Sequence, residues 1–568
     1  MRFSVGPLAL AALAGCGQGS VTFTLDAPAQ RLSPLDDSRA DAVIITDEAT
    51  GTQLGSPLSV GRGDAMGGGS AIGPIRVGTY DLRVEVGGGG QLLGLARARD
   101  VVIAAGQDQS IPIHLRKPFA FFGSLPVLPA APAAVMAFDS TLPPLGLEPD
   151  LGDIRVDGPV GASASTADGR FLLLGAKDQL YVVNTVDFSM LGKVGPIAGG
   201  SVKAIVVAPR DSAAAILTDQ AVTVITDLQA FENGGPSASP VTTVTLAQPQ
   251  AAAFSPDAQT LAVLSGPAAW QDVVAAAHAS PAHASWESCD ASLPKAFLSL
   301  LPVASLPASA DETAAPAGAT DVDFLDGRPV LALPCGPGIV YADDLSNPAN
   351  LPVALAGKGI IDIAVVGGHA AFVEGRVIQT TVPVDPDQPR MTDTPVPFGS
   401  ISTYVSGQPD SRVTSTFRLG NDLLNFVGSD MSTVQALLAP TRLDAYDVAL
   451  SPDGTHVVVA ARIRYEESAL KYVPEVPDPN FPGFTLYCDL DIAEDVYQVW
   501  EVEATSGSVA YQSVKGLDDP VCSTQCFSCN VDNLGQKQCD PLSNPSRTPC
   551  TLQHGFAPGG LSVMMGGG

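Results

Sequence analysis

Apolar and polar residues alternate along much of this chain in short runs that glycine, proline and aspartate interrupt. One such run, Tyr446–Leu450, leads to Ser451-Pro452-Asp453-Gly454 and is followed by the β-branched residues Val457–Val459. Proline at the second position of a turn presets φ, aspartate hydrogen-bonds to its own backbone, and glycine takes the left-handed corner. We therefore predict an antiparallel hairpin here, with Gly454 at the left-handed position.

The same strand–turn–strand pattern recurs along the chain. Its turns are centred on Asp168, Asp211, Asp257, Asp326, Gly367 and Asp453. The intervals between them are 43, 46, 69, 41 and 86 residues. The interval of 69 contains an Ala-, Pro- and Ser-rich insertion at residues 268–289. The interval of 86 is close to twice the short spacing, which predicts a degenerate repeat within residues 401–428.

A period in the forties with several strands per unit is typical of β-propeller blades, whose faces are buried only by packing against neighbours. Six visible repeats and one implied repeat predict about seven blades within residues 136–515. The phrases Phe254–Asp257 and Leu450–Gly454 resemble the FSPDG phrase of YVTN-type and TolB-like (WD40-like) propellers. That resemblance covers roughly two thirds of the chain and implies a fold, not a function.

Residues 16–117 precede the repeats and alternate in the same way. The strand candidates are Val21–Leu25, Asp41–Thr46, Tyr80–Val86, Ala98–Ile103 and Gln109–Leu115. The phrase Gly78–Val84 resembles the G-x-Y-x-L-x-V signature of carboxypeptidase-regulatory-like and PEGA-like β-sandwiches. This implies a small antiparallel sandwich in which Tyr80, Leu82 and Val84 share one face and enter the core. A Pro-rich linker is predicted at residues 118–135.

The first fifteen residues have the pattern of an export signal. Arg2 supplies a positive charge, and Leu8–Ala14 is an apolar stretch too short to cross a bilayer. Leu13-Ala14-Gly15-Cys16 resembles the bacterial lipobox, which implies a signal peptide at residues 1–15 and lipidation of Cys16. Gly17, where enteric lipoproteins of the inner membrane carry aspartate, implies the outer membrane by analogy. The alternative is an ordinary secretory signal with an incidental cysteine.

The remaining cysteines agree with export. They are Cys289, Cys335, Cys488, Cys522, Cys526, Cys529, Cys539 and Cys550. An even number of thiols in an oxidising compartment predicts four disulfides, with about 105 possible pairings. Most lie in or near residues 516–568, a Cys-rich segment with a glycine-rich end that we expect to be flexible. Tetrahedral zinc held by Cys526, Cys529, Cys539 and Cys550 is the alternative.

Composition and charge narrow the classes of partner. The 568 residues include 57 Gly and 48 Pro, which favours turn-rich β-structure over long helices. With 30 Lys and Arg against 59 Asp and Glu, the net charge is −29. Such a surface repels phosphate backbones, and no basic cluster offsets it, so we expect no nucleic-acid partner.

No motif of known chemistry stands out. The chain has no nucleophile elbow, phosphate-binding loop or dinucleotide fingerprint. His278 and His283 are five residues apart, an awkward separation for two ligands on one helical face. The Asp-rich turns Asp385–Arg390 and Val476–Phe481 lack EF-hand spacing. We therefore assign no catalytic, cofactor-binding or metal-ligating residue and expect no cofactor, although propeller enzymes draw their groups from loops far apart in sequence.

These observations predict an all-β lipoprotein that acts as a non-catalytic binding or scaffolding module in the cell envelope. The partner would be an envelope protein or a glycan, on the periplasmic or the surface-facing side. The lipid anchor would attach the protein to the membrane. A propeller hydrolase or oxidoreductase with a site at the channel mouth is one alternative, and a structural subunit of a surface assembly is another. Carboxylates converging at the channel would favour the enzyme, and a lining of small apolar residues would favour binding.

Overall fold

In the described part of the chain the fold is all-β, as the sequence predicts, and helix is limited to short 3-10 turns such as Pro34–Asp36 and Val303–Ser305. A computed structural model describes residues 18–563 apart from these ranges: 27–33, 48, 61–70, 89–90, 106–107, 116, 118, 126–132, 140–146, 149–154, 159, 167–169, 186–188, 210–212, 229–240, 267–294, 334–337, 343–359, 376–395, 420–421, 428–432, 451–453, 455, 468–475, 478–484, 505, 508, 515–520, 532–536, 542–550 and 553–556. No helix among the described residues has the length and hydrophobicity to cross a membrane.

The N-terminal unit consists of two sheets. Its strands are β1 (Gln18–Asp26), β2 (Ala42–Asp47), β3 (Thr52–Gln53), β4 (Leu58–Ser59), β5 (Ala71–Arg76), β6 (Gly78–Gly88), β7 (Gln91–Ile103) and β8 (Asp108–His114). One sheet has the order β5-β1-β8, and the other has the order β3-β2-β6-β7 with β4 on β2. Residues from both sheets form one hydrophobic core. Leu82 and Val84 are fully buried in it and Tyr80 is partly buried against it, which confirms the predicted face of this strand.

The antiparallel prediction for this unit was wrong at one pair of strands. β1 and β8 run parallel, with Val21 opposite Gln109. Between these two strands the chain passes through the second sheet, so β8 returns beside β1 in the same direction.

Three four-stranded antiparallel sheets follow in the predicted repeat region. They are preceded by β9 (Phe119–Leu125), β10 (Ala133–Asp139), β11 (Leu147–Glu148) and β12 (Arg155–Val156). Sheet A contains β13 (Val160–Ser165), β14 (Phe171–Ala176), β15 (Gln179–Asn184) and β16 (Met190–Val194). Sheet B contains β17 (Ala204–Val207), β18 (Ala214–Leu217), β19 (Ala221–Ile225) and β20 (Val241–Thr245). Sheet C contains β21 (Pro249–Phe254), β22 (Thr260–Ser265), β23 (Phe297–Pro302) and β24 (Thr313–Ala314). In each sheet the strands pair in chain order.

Sheets D and E continue this series. Sheet D contains β25 (Asp321–Leu325), β26 (Arg328–Ala332) and β27 (Ile339–Tyr341) among the described residues. Sheet E contains β28 (Ile360–Val366), β29 (His369–Gly375), β30 (Val396–Val405) and β31 (Gln408–Leu419). Buried apolar residues fill the space between A and B, between B and C, between C and D, and between D and E. Packing between successive sheets therefore supplies the core.

Sheet F is larger. Its strands are β32 (Asp422–Val427), β33 (Thr433–Leu450), β34 (His456–Glu467), β35 (Val476–Pro477), β36 (Thr485–Glu503), β37 (Val509–Val514), β38 (Val521–Val531), β39 (Lys537–Pro541) and β40 (Thr551–Leu552). The order is β39-β38-β36-β34-β33-β32-β40, with β35 and β37 on β36. Strands β38, β39 and β40 of the segment predicted to be separate and Cys-rich thus extend this sheet.

The last sheet, G, combines strands that precede sheet A in the chain with a strand that follows sheet F. Strand β41 (Ala557–Val563) pairs antiparallel with β9, which pairs with β10, and β11 and β12 also pair with β10. The glycine-rich end was predicted to be flexible, and this is wrong for Gly559–Val563, because hydrogen bonding to β9 orders its backbone. Strand β9 lies within residues 118–135, which were predicted as a linker.

One strand of each sheet lies beside a strand of the next sheet. The first strands of sheets A to E (β13, β17, β21, β25 and β28) and β33 of sheet F are neighbours in this order, and β41 of sheet G lies beside both β33 and β13. A succession of sheets that meet along one strand each is the arrangement of propeller blades.

The predicted hairpins join the first and second strands of sheets A to E, and β33 with β34 in sheet F. At the turn of sheet C, the Oγ of Ser255 donates to Oδ1 of Asp257 at 2.6 Å, and the same oxygen accepts from the N–H of Gln259 at 3.0 Å. Ala258 has φ of 56° and Gly454, at the matching position of sheet F, has φ of 68°. The left-handed corner predicted for Gly454 is therefore confirmed. Asp168, Asp211 and Asp453 lie outside the described residues.

The degenerate repeat predicted within residues 401–428 was wrong. Ile401–Val405 belong to β30, which pairs with β29, and Gln408–Leu419 form β31 on the far side of β30. These strands are the third and fourth strands of sheet E. Only Asp422–Val427 leave that sheet, and they pair with β33.

Candidate functional site

The first strands of sheets A to E and strand β33 of sheet F surround a cavity of about 780 Å³. Each first strand among A to E ends its sheet, so one backbone edge of it has no neighbour within that sheet. Much of the lining is small and apolar, as at Ala164, Ala204, Ala252 and Ala364. Short side chains let the strands approach one another and leave a space at the centre.

Carboxyl groups interrupt this apolar lining at the boundary between sheets D and E. Asp321 and Asp323 are alternate residues of β25, and Asp362 lies on β28. Oδ2 of Asp321 accepts a hydrogen bond from the N–H of Ile363 at 2.9 Å, and Oδ2 of Asp323 accepts one from the N–H of Val365 at 2.8 Å. Both donors lie on the free edge of β28. The two carboxyl groups therefore connect one sheet to the next.

A hydroxyl group extends the same row of contacts. Oγ1 of Thr320 donates to the carbonyl oxygen of Ile361 at 2.9 Å. Side chains of sheet D thus bind the backbone of β28 at residues 361, 363 and 365. We call this row of contacts the D–E seam. Asp321 and Asp323 are alternate residues of β25, as their partners Ile363 and Val365 are on β28, because side chains of one face recur every second residue. Thr320 lies directly before β25.

Burial changes the pKa values of the two acids of the seam, Asp321 and Asp323. Burial raises the pKa of Asp323 to about 8, against hydrogen bonds from the N–H groups of Phe324 and Val365 that lower it. Burial also raises the pKa of Asp321, against a hydrogen bond with the Asp362 side chain that lowers it. Enclosure by protein therefore favours the protonated, neutral acids over carboxylates. In that form the groups can both donate and accept hydrogen bonds.

A second polar cluster lies at one mouth of the cavity. The turn of sheet D brings Asp326 to the cavity rim beside Ser406 of sheet E, whose Oγ donates to Oδ1 of Asp326. The hydroxyl of Tyr341 donates to Oδ2 of Asp326 at 3.4 Å. The guanidinium of Arg328 lies 3.9 Å from the centre of the Tyr341 ring. Burial, followed by the negative charge of Asp326, raises the pKa of Tyr341.

The polar groups of both clusters form hydrogen bonds within the protein. Each seam acid already accepts hydrogen bonds from backbone N–H groups. In the described residues no three His, Cys, Asp or Glu side chains come together so as to hold a metal ion. His369 begins β29 at the mouth, where its side chain contacts Gly454.

The predicted site residues divide into two groups. Cys488 lies in β36, Cys522, Cys526 and Cys529 lie in β38, and Cys539 lies in β39. Cys16, Cys289, Cys335 and Cys550 lie outside the described residues, as do His278, His283 and the turn Asp385–Arg390.

Sequence reasoning missed the acids of the seam. The available signal was aspartate at alternate positions in a strand that otherwise reads as core, as in Asp321-Val322-Asp323. A third aspartate, Asp362, lies in the apolar strand Ile360–Val366 of the next repeat. Only the neighbouring position of the two strands shows that these residues meet.

No family model and no curated protein matches this sequence.

The structural neighbours are β-propeller proteins of the WD40 type. Kluyveromyces lactis Hsv2 is 12% identical and has a TM-score of 0.28, with 68% of this chain and 98% of that chain covered. The β-propeller domain of Myceliophteria thermophila Cps50 (Swd1) is 13% identical, with a TM-score of 0.25 and coverage of 54% and 89%. A chain of the mitotic checkpoint complex is 12% identical, with a TM-score of 0.32 and coverage of 57% and 81%.

Proposed function

We propose that this protein is an exported, lipid-anchored propeller of about seven blades that binds a protein or glycan partner in the cell envelope without catalysing a reaction. Sheets A to G are the proposed blades, and the N-terminal unit is the proposed β-sandwich that separates them from the anchor at Cys16. The partner is a protein or a glycan of the envelope, and the outer membrane is the proposed location.

The observation that carries the binding role is the hydrogen bonding of Asp321 and Asp323. These acids are the groups that a reaction at the cavity would use, and both are engaged by backbone N–H groups of β28. Burial raises the pKa of both acids, to about 8 for Asp323, which disfavours the ionised form that a carboxylate nucleophile or base requires. The rest of the lining is mostly small and apolar. The cavity thus supports a rigid scaffold, and its exposed turns offer the binding surface.

Site-specific photo-crosslinking tests the binding role in the lipidated, full-length protein. A photo-reactive residue at Gln259, on an exposed hairpin turn of sheet C, should crosslink a defined envelope component. The matched control carries the same residue at Lys193, on the exposed outer strand of sheet A. Crosslinked species that appear only with Gln259 support the proposal. Identical species at both positions, or none, contradict a binding face at the turns.

The anchor is tested separately by Cys16→Ser. The variant should accumulate in the soluble fraction after cell breakage, whereas the parent protein sediments with membranes and incorporates labelled fatty acid. Equal membrane association of both proteins would contradict lipidation at this residue. This result does not bear on the crosslinking experiment, so the anchor and the binding face can fail independently.

Asp321 and Asp362 also favour a second candidate, an enzyme at the channel mouth. Their carboxyl groups hydrogen-bond to each other, as pairs of acids do in some hydrolases. For this candidate, Asp362→Asn would abolish turnover of a substrate while the protein remains folded. For the binding role, the same variant would retain the Gln259 crosslink at its parental yield.

A further inference from the structure

The arm of sheet F is a four-stranded extension formed by Thr485–Ala493 of β36 with β35, β38 and β39. Strand β36 is 19 residues long, and only its second part lies against β34 and β37. Its first part pairs with β38 from Thr485 opposite Cys529 to Ala493 opposite Val521. Strand β39 then pairs with the far edge of β38. The backbone register of the arm determines which of its residues are opposite each other.

Two pairs of cysteines are directly opposite in this register. Cys488 is opposite Cys526 across β36 and β38, and Cys529 is opposite Cys539 across β38 and β39. Directly opposite residues of antiparallel strands have Cα atoms about 4.5–5.5 Å apart. Cysteines joined by a disulfide have Cα atoms about 4.4–6.8 Å apart. Both pairs therefore satisfy the backbone requirement of a disulfide without any movement of the strands.

The same register excludes the other pairings among these residues. Cys522 is opposite Ile492, four residues from Cys488, which corresponds to about 13 Å along a strand. Cys526 and Cys529 are three residues apart on one strand, or about 10 Å, and they occupy opposite faces because faces alternate. Both separations are beyond the reach of a disulfide.

We propose that the arm carries two cross-strand disulfides, Cys488–Cys526 and Cys529–Cys539, one on each face of β38. This inference is independent of the binding role proposed above. It also rejects the tetrahedral zinc site suggested by the spacing of Cys526 and Cys529. Thiolates that bind one zinc ion lie about 2.3 Å from it, so ligands on opposite faces of an extended strand cannot share the ion.

Formation of each disulfide is a two-electron oxidation. Two S–H bonds break, one S–S bond forms, and two protons and two electrons leave the pair. The acceptor is a disulfide-bearing thiol oxidant, such as an exported thiol oxidoreductase or oxidised glutathione, which is reduced to two thiols. The disulfides close loops across Cys488–Cys526 and Cys529–Cys539. They stabilise an arm of few strands, which is marginal without cross-links.

Peptide mapping of the full-length protein tests this pairing. The purified protein is oxidised with oxidised glutathione, alkylated without reduction, and digested with trypsin and chymotrypsin. Cleavage after Phe527 separates Cys526 from Cys529, and cleavage after Lys537 separates Cys529 from Cys539. We expect one linked peptide pair that contains Cys488 and Cys526, and another that contains Cys529 and Cys539.

Two variants make the assignment specific. Cys522→Ser removes the other cysteine of the Cys526 peptide, and the link to Cys488 should persist in it. Cys488→Ser should expose one thiol, at Cys526, to maleimide labelling while Cys529–Cys539 remains linked. If Cys488→Ser fails to accumulate, the map of the parent protein and of Cys522→Ser still decides the pairing. Loss of the Cys488 link in Cys522→Ser, a link between Cys488 and Cys539, a free thiol at any of the four paired cysteines after oxidation, or one thiolate-bound zinc per chain would each overturn the proposal.

Hydrogen exchange gives an independent measurement. Reduction of the disulfides should increase amide exchange in residues 485–493, 521–531 and 537–541 and leave residues 160–225, which contain no cysteine, unchanged. Unchanged exchange in the arm after complete reduction would show that no cross-link orders it.

Discussion

The backbone N–H of Val365 donates a hydrogen bond of 2.8 Å to Oδ2 of Asp323, across the boundary between two sheets. Two residues earlier on each strand, the N–H of Ile363 binds Asp321 in the same way. The free edge of β28 would otherwise leave these two donors without a partner in its own sheet, and an unpaired buried N–H is destabilising. Side chains of the preceding sheet thus replace the missing strand.

Because burial raises the pKa of Asp323, we expect the free energy of unfolding to depend on pH. Its pKa is about 8 in the folded protein, against 3.8 for an ordinary aspartate. Between these values the folded state holds a proton that the unfolded state has lost, so stability falls as the pH rises from about 4 to about 8. Asp323→Asn cannot ionise and keeps an oxygen acceptor for Val365.

Thermal unfolding at pH 5, 7 and 9 provides the measurement. The variant should lose less stability than the parent between pH 5 and pH 9, and it should be the more stable protein at pH 9. Parallel pH profiles for the two proteins would show that Asp323 keeps its ordinary pKa. Asp257→Asn serves as the control, because Asp257 lies on an exposed turn where hydrogen bonds from Ser255 and Gln259 lower its pKa.

Thr320→Val should weaken the same seam. Its hydroxyl donates to the carbonyl of Ile361, and the residue is 8% exposed. Valine has a similar shape but cannot donate, so we expect a loss of about 0.5–1.5 kcal/mol in the free energy of unfolding. Denaturant unfolding measures it, and Thr313→Val at an exposed position of β24 is the control. A loss as large in the control would mean that the substitution, and not the hydrogen bond, is responsible.

Ala258→Gly should stabilise the protein. Ala258 has φ of 56°, a left-handed conformation that a Cβ atom disfavours. Because the matching position of sheet F is already Gly454, the turn itself accepts glycine. Relief of the strain is worth about 1 kcal/mol, reduced in part by the greater freedom of glycine in the unfolded chain. Equilibrium unfolding in urea would reveal the gain, and a lower midpoint for the variant would refute this reasoning.

Gly454→Ala should have the opposite effect and a larger one. The residue has φ of 68°, and a Cβ atom there would overlap Cβ and Cγ of His369. We expect the overlap to cost about 1–3 kcal/mol in addition to the backbone strain. Gly367→Ala, with φ of 54° and open space around the new Cβ, isolates the strain alone. Equal losses of unfolding free energy in the two variants would mean that His369 moves away at little cost.

The hairpins of the repeats could be predicted because turn chemistry is local. The phrase that ends at Gly454 and the pair Asp326-Gly327 specify tight turns by themselves. The partner of a strand is not local. Residues 401–428 alternate like a further repeat, yet β30 and β31 complete sheet E. Strand β41, in a segment rich in glycine, pairs with β9 more than four hundred residues away.

The order of apolar and polar residues determined by itself that this chain forms short antiparallel strands joined by tight turns, since proline, aspartate and glycine act on their own backbone. Tertiary structure alone decided which sheet each strand joins and that Asp321 and Asp323 meet the edge of β28. Backbone hydrogen bonds between strands are the same for nearly every residue, so pairing depends on where the strands pack. The raised pKa values of the two acids follow from enclosure, which no stretch of sequence specifies.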